Sequence, residues 1–265
     1  MKLLEGKVGL VVGIANERSY AWHIAKSIVD HGGTCAFAHL PGDKNERRTR
    51  RAIEEMGLAD PFMISMDAGN DADIDAAFAK YAEKHDLMHY LVHSIAYADR
   101  EWLQLGKFTD TPRAAFLNAI DISAYTLAAM TRRARPLLAR AAAASGDASV
   151  MAMSYYGAEK VIPGYNVMGV AKAALECTAR YLATELGGEN IRVNIISGGY
   201  LRTLASSAVG GTDIMGDRSK DRAPLRRNVE GSDVGKTAVY LASDLSSGVT
   251  GETIYVDCGV NIIGG

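Results

Sequence analysis

Proline and cysteine are scarce in this chain, with 6 prolines and 3 cysteines among 265 residues. So little proline excludes a collagen-like or proline-rich linker protein. The cysteines, Cys35, Cys177 and Cys258, are odd in number and far apart. They make neither a disulfide framework nor a zinc spacing, and they fit a reducing compartment. An excess of either charge is also missing. Lys and Arg total 29, Asp and Glu total 31, and the formal net charge is −2. No global electrostatic case for nucleic-acid binding exists at that balance. No run approaches the ~20 apolar residues of a membrane span. The first residues, Met1 to Gly6, lack the apolar stretch of a signal peptide. The expectation is a soluble, cytoplasmic protein with no bound metal, no nucleic-acid partner and no membrane partner.

What is present points to a folded core. Hydrophobic residues make up 48% and charged residues 23%, which excludes a disordered chain. Glycine is frequent at 27 residues, as tight turns and close backbone contacts require.

Short apolar runs alternate with longer helical patterns. Strand candidates are Val8–Val12, Cys35–Ala38, Phe62–Ser65, Tyr90–Val92, Ser149–Met153, Arg192–Ile196 and Ile254–Val256. Their continuous apolar character suits strands buried on both faces. Helices are expected near Ser19–Asp30, Lys44–Met56, Asp71–Lys84, Arg113–Arg133 and Gly169–Leu186, with another starting at Ser232. Asn70 supplies a start signal, and Gly187-Gly188 a stop. Ala139–Ser145 reads as a helix end running into a loop. Strand and helix alternate throughout, the mark of an α/β fold with a Rossmann-type doubly wound parallel sheet. With no repeat or linker, residues 1–265 are expected to form a single dinucleotide-binding domain, with a substrate-binding lid at about 198–227.

The first strand feeds Gly13-Ile14-Ala15-Asn16-Glu17-Arg18-Ser19-Tyr20-Ala21 and then a helix. Such a turn lets the backbone approach a pyrophosphate and aims a helix N-terminus at it. Gly13 permits the turn, and Ser19 is placed to cap the helix or to bond a phosphate oxygen. One glycine after a strand is also an ordinary turn, so position carries this reading. The second strand ends in His39-Leu40-Pro41-Gly42-Asp43-Lys44. An acidic residue there selects NAD and nearby basic residues accommodate NADP. Leu40 gives neither signal; Lys44, Arg47 and Arg48 are within reach of a phosphate but read better as a solvated helix face. The balance leans to NADH, with NADPH left open. His85, His89 and His93 are spaced by four, but the segment changes from helix to strand within them, so no metal site is expected.

The informative stretch runs from Ser154 through Tyr155 and Tyr165 to Lys172. It resembles the short-chain dehydrogenase/reductase superfamily, whose common members carry a Ser, a Tyr thirteen residues later and a Lys four after that. Counting back from Lys172, that register puts Met168 at the Tyr position and Tyr155 at the Ser position. The remaining pattern, Tyr165-x6-Lys172, resembles the bacterial enoyl-acyl-carrier-protein reductases. The likeness extends through Gly13–Ala21, Val92–Ile95, Arg202–Ala205 and Gly251-Glu252.

The resemblance implies NADH-dependent reduction of a trans-2-enoyl thioester on acyl carrier protein, in fatty acid elongation, by a homotetramer. It implies Tyr155, Tyr165 and Lys172 as the catalytic set. Tyr165 would hydrogen-bond the enolate oxygen, Lys172 would hold the nicotinamide ribose, and Tyr155 would line the substrate pocket. It implies cofactor contacts at Gly13, Ser19, Tyr20, Leu40, Asp67, Ala68, Ser94, Ile95, Lys172, Ile196 (through its backbone) and Thr203. Substrate contacts fall at Ala96, Tyr97, Tyr155, Tyr165 and Met168. For Asp67 a capping or loop role stays open beside adenine recognition, and Ser94 also reads as a buried strand-end serine. The lid would include Ser206, Ser207, Gly210, Gly211 and Gly216. Six basic residues between Arg202 and Arg227 outnumber three acidic ones. They suit an acidic carrier protein or a plain solvated face. Tyr200, Ala98 and Cys258 depart from the family pattern, which more often has proline, proline and glycine there. An alcohol or ketone reductase, and a non-catalytic dinucleotide-binding regulator, are the competing readings.

Overall fold

The period of two along each strand divides the apolar residues between two helical layers. In the computed structural model, which describes residues 2–201 and 220–264, seven strands form one sheet. They are β1 (Val8–Val12), β2 (Thr34–His39), β3 (Phe62–Ser65), β4 (Tyr90–His93), β5 (Ala148–Tyr155), β6 (Ile191–Gly198) and β7 (Thr253–Val256). The order is β3-β2-β1-β4-β5-β6-β7 and every pairing is parallel. Leu10, Val12, Ala36, Ala38, Leu91, Val150, Ala152, Val193 and Ile195 enter one core cluster. The alternate residues Val11, Cys35, Phe37, Tyr90, Val92, Met151, Met153 and Ile196 enter the other.

Helices complete both faces. They are α1 (Tyr20–Asp30), α2 (Asp43–Glu54), α3 (Asp71–Ala82), α4 (Arg113–Ile120), α5 (Thr126–Ser145), α6 (Asn166–Leu186) and, beyond β6, α7 (Gly231–Ala242). Asn70 caps α3 as expected, its side chain accepting from the Ala72 and Asp73 amides. On the other face α7 lies along α1, with Gly231 and Gly235 against His23 and Ser27.

The expected helix Arg113–Arg133 differs from what forms. It is broken by a π turn at Asp121–Tyr125 and then continues to Ser145. The whole stretch Arg113–Ser145 is long and apolar enough to cross a membrane by length and composition. Its apolar residues Leu127, Met130, Ala134, Leu137 and Leu138 instead pack into the core. Core packing accounts for the hydropathy, while Pro136 sits on the exposed side of α5.

A buried ion pair anchors β6. Arg192 is 5% exposed, and its guanidinium donates to Asp147 Oδ2, to Ser246 Oγ and to the Leu241 carbonyl. Removing one partner of such a buried pair leaves the other charge poorly compensated. Arg192→Met is therefore expected to cost about 3 kcal/mol, read as a lowered urea midpoint; an unchanged midpoint would contradict it. Beyond β7, Cys258 adopts φ 59. The terminal turn thus keeps the left-handed backbone that favours glycine, with a cysteine in it.

Chain direction across the sheet reverses between β1 and β4. In open α/β sheets the crevice outside the strand ends at such a switch point is where ligands bind.

Candidate active site

That crevice is a cavity of about 1060 Å³ over the carboxyl ends of β1, β2, β4, β5 and β6. It is large enough for a dinucleotide and part of a second molecule. Its wall brings together Gly13, Ser19, Tyr20, Leu40, Asp67, Ala68, Ser94, Ile95, Ala96, Tyr97, Tyr155, Tyr165, Met168 and Lys172.

The β1 turn shapes one end. Gly13 has φ +109, and a Cβ there would lie 2.1 Å from the Ser94 carbonyl oxygen. Ser19 stands at the N-cap of α1, yet its hydroxyl does not cap the helix. It donates to the Asn16 carbonyl at 2.7 Å and closes the turn. The first N–H groups of α1 have no partner within the helix, so this end of the cavity offers amide donors and a positive dipole end.

Tyr20 ties α1 to the end of β6, donating to the Gly199 carbonyl at 2.6 Å. Burial drives its phenol well above the ordinary range. Leu40 is 54% exposed at the end of β2. Arg48 is exposed on α2, as a solvated helix face requires, and also borders the cavity there. Asp67 accepts from the Gly69 amide through Oδ1 at 2.9 Å, a local turn bond made by a residue that also borders the cavity.

Ile196 lies in β6 with its side chain fully buried in the core, and it is not among the residues lining the cavity; the contact expected there is one through its backbone, which side-chain burial does not oppose. Strand β6 runs two residues past the expected end, so Gly198, Gly199, Tyr200 and Leu201 form the rim there instead. Thr203 and its neighbours Arg202, Leu204 and Ala205 lie outside the described residues, as do Ser206, Ser207, Gly210, Gly211 and Gly216 of the expected lid.

The opposite wall carries the Tyr and Lys pattern. Tyr155 ends β5, and Tyr165 immediately precedes α6. Their rings meet edge to face, with centroids 5.1 Å apart. Burial pushes Tyr155 up to about 12, helped by nearby Tyr200 and Asp257. Tyr165 is driven above the ordinary phenol range, mainly by burial and then by Tyr155. Both are therefore hydrogen-bond donors at neutral pH.

Lys172 is 5% exposed, and its Nζ donates to the Met153 carbonyl at 2.7 Å. Burial pulls it down to about 8, against the opposing charge of Glu176. Met168, one turn before Lys172, is 6% exposed beside Leu103, Ala119 and Ala171. It places a thioether where the ordinary superfamily register has a phenol.

Two supports escaped the sequence reading. A Cβ on Gly157 would lie 2.5 Å from Tyr165 Cδ1, so the absence of a side chain there seats the ring. Gly157→Ala is expected to displace Tyr165 and lower kcat about tenfold, the range of a partly misplaced acid–base group. Steady-state kinetics check this, and unchanged kcat would remove Gly157 from the seat. Asn166 has φ 40, and its Nδ2 donates to the carbonyls of Trp102 and Gln104 at 2.7 and 2.8 Å. It clamps the loop after β4 onto the start of α6. An asparagine beside a functional tyrosine is the available sequence signal, because Asn tolerates left-handed backbone. On that loop the Tyr97 amide donates to Ser123 Oγ of the π turn at 3.0 Å. Among the described residues no cluster of metal-ligating side chains occurs. His93 is buried and bonded through Nε2 to Thr126 at 2.8 Å.

A family model described as enoyl-(acyl carrier protein) reductase matches residues 13–261. The chain belongs to the enoyl-(acyl carrier protein) reductase family. A relative in this family, the enoyl-(acyl-carrier-protein) reductase (NADH) FabI of Synechocystis sp., is 46% identical over 263 residues, spanning 98% of each chain. The crystal structure of the Bacillus cereus enoyl-acyl carrier protein reductase with NADP+ and indole naphthyridinone matches with a TM-score of 0.94. It is 40% identical, and the match covers 100% of both chains. The Anaplasma phagocytophilum reductase, crystallised with NAD, matches with a TM-score of 0.90 at 38% identity, covering 99% of this chain and 95% of that one. The family likeness therefore includes the whole cavity wall, from the Gly13 turn to Lys172.

Proposed function

We propose that the chain uses NADH to reduce the double bond of a trans-2-enoyl thioester carried on acyl carrier protein, the reductive step of fatty acid elongation. The observation that supports this most is the pairing of Tyr165 and Lys172 on one cavity wall while Met168 fills the ordinary acid position. An acid at the ordinary position serves a carbonyl carbon that itself receives hydride. In enoyl thioester reduction the hydride goes to the β carbon, two bonds from the carbonyl carbon, and charge develops on the thioester oxygen beyond it, so the phenol must be displaced.

The residues present fit a nicotinamide dinucleotide. The Gly13 turn leaves a space that a Cβ would fill, the start of α1 offers amide donors, and Lys172 is a buried cation on the far wall. When bound, the cofactor supplies the hydride. Gly13, Ser19 and Tyr20 would hold its phosphate end, Leu40, Asp67 and Ala68 its adenosine end, and Ser94, Ile95 and Lys172 its nicotinamide end. Lys172 would donate to the ribose hydroxyls and add positive charge. Tyr165 donates to the developing enolate oxygen, an oriented bond that strengthens as charge forms. Tyr155 holds the Tyr165 ring edge-on and, with Ala96, Tyr97 and Met168, bounds the acyl group.

The partner supplying the thioester is acyl carrier protein. Among the described basic residues near the expected entrance, Arg227 is paired with Asp233 at 2.6 Å. Lys220, Arg222 and Arg226 remain for an acidic surface. We also propose a homotetramer, for which exposed Leu117, Tyr125 and Tyr181 on adjoining helical segments offer apolar cover. Sedimentation at the mass of a single 28.3 kDa chain would overturn that.

The assay that tests the activity follows NADH oxidation with a crotonyl thioester, with a panel of ketones and with neither. Turnover with the thioester is expected. Turnover with ketones alone would make the protein a carbonyl reductase, and binding without turnover would make it a regulator.

A further inference from the structure

Lys172 is not the one ionisable side chain that α6 carries inward. Glu176, a turn later, is 6% exposed, and its carboxylate accepts from Ser154 Oγ at 2.5 Å. Ser154 directly follows Met153, whose carbonyl accepts from Lys172 Nζ. Two consecutive residues at the carboxyl end of β5 thus bind two side chains one helical turn apart. An interior carboxylate is costly unless it is paired and hydrogen-bonded, and an apolar residue would fill this helix–sheet seam without that cost. The proposed reduction uses no carboxylate at this place.

We propose that Glu176, held by Ser154, is a positioning residue for Lys172: its negative charge beneath the cavity keeps the buried ammonium charged and docked on the end of β5. This rests on Lys172 being the cation that holds the cofactor.

The surrounding charges agree. Burial disfavours the charged form of Lys172, and Glu176 is the group that opposes it. Burial also raises Glu176, the Ser154 hydrogen bond lowers it, Glu159 on the turn after β5 raises it, and Arg180 and Lys172 lower it. From β4, His93 faces Lys172, but burial first and Lys172 second push it down to about 3, so it is neutral and adds no charge. From β7, Tyr255 lies within the influence of both Glu159 and Glu176 and stays protonated. Tyr165 is likewise protonated beside Glu176.

The sign follows. Cofactor affinity that depends on charged Lys172 is full below its pKa and is lost as the pH rises through it. Glu176→Gln keeps size and an acceptor for Ser154 but removes the charge, so the loss moves to lower pH. Ser154→Ala removes the hydrogen bond that holds the carboxylate on the end of β5, so its charge acts on Lys172 from a less fixed place and the loss moves the same way by less.

The test is NADH affinity by nicotinamide fluorescence between about pH 6 and 10, with folding followed by thermal melts. The proteins are the native chain, E176Q, S154A and Lys172→Met. The native affinity is expected to fall with a midpoint near 8. In E176Q the midpoint should lie about one unit lower, giving about tenfold weaker binding at the alkaline end. Lys172→Met should bind weakly with no such step. A native profile flat in pH would sink the role given to Lys172. A native step that is absent in Lys172→Met, but keeps the same midpoint in E176Q and S154A, would overturn the positioning role alone. If E176Q does not fold, the S154A midpoint decides.

Discussion

Tyr165→Phe is expected to lower kcat by about 10²- to 10³-fold, the usual consequence of removing one donor from a developing oxyanion, while NADH affinity changes by less than about twofold. The substitution is conservative in shape. The Phe ring keeps the edge contact with Tyr155 at 5.1 Å between centroids and the seat left by Gly157. What disappears is one hydroxyl, which burial keeps protonated and which has its full effect only when charge reaches the thioester oxygen. An interaction made mainly in the transition state lowers kcat and kcat/KM together. Stopped-flow reduction under saturating NADH measures the chemical step apart from product release. A native rate in the Phe variant would take Tyr165 out of its role and leave Tyr155 as the candidate donor.

Gly13→Ala is the second large effect, and it acts on fold and cofactor together. A methyl group there would sit 2.1 Å from the Ser94 carbonyl oxygen and 2.6 Å from its carbon, with the backbone at φ +109. Both obstacles are backbone, so no side-chain rotation relieves them. Left-handed strain and overpacking each cost on the order of 1–3 kcal/mol, giving a loss of about 3 kcal/mol. The Ser94 amide donates to the Val12 carbonyl at 3.0 Å, so pushing Ser94 away also opens the cavity floor between β1 and β4. NADH affinity is expected to fall at least about tenfold in whatever fraction folds. Urea denaturation and fluorescence titration measure the two effects. A variant with native stability and native affinity would mean that the turn has another conformation.

The five inner strands were legible in the sequence because both of their faces are buried, so each reads as an apolar run whichever way a side chain points; the edge strands β3 and β7 are only partly buried and were legible from their short apolar runs alone. Strand ends were less legible. Ser197 and Gly198 continue β6 without apolar character, so the strand runs past the apolar run that marked it. The π turn at Asp121–Tyr125 has no signature in the local pattern, since its residues suit an ordinary helix. Tyr155, Tyr165, Met168 and Lys172 were legible as a spaced set, and they meet in one cavity. Glu176 was not, because a glutamate in a helix reads as solvent-facing until the sheet is placed against it. Gly157 was hidden in the same way, since its value lies in a contact with a ring eight residues away.

The central claim is that hydride enters at the β carbon while Tyr165 serves the thioester oxygen. Reduction of a trans-2-enoyl thioester with NADH deuterated at the transferred position, followed by mass spectrometric and NMR location of the label, tests it most directly. The expected product is a saturated thioester with deuterium on the β carbon and a solvent-derived proton on the α carbon. Deuterium on the carbonyl carbon of an aldehyde or alcohol product, or on the α carbon, would contradict the account.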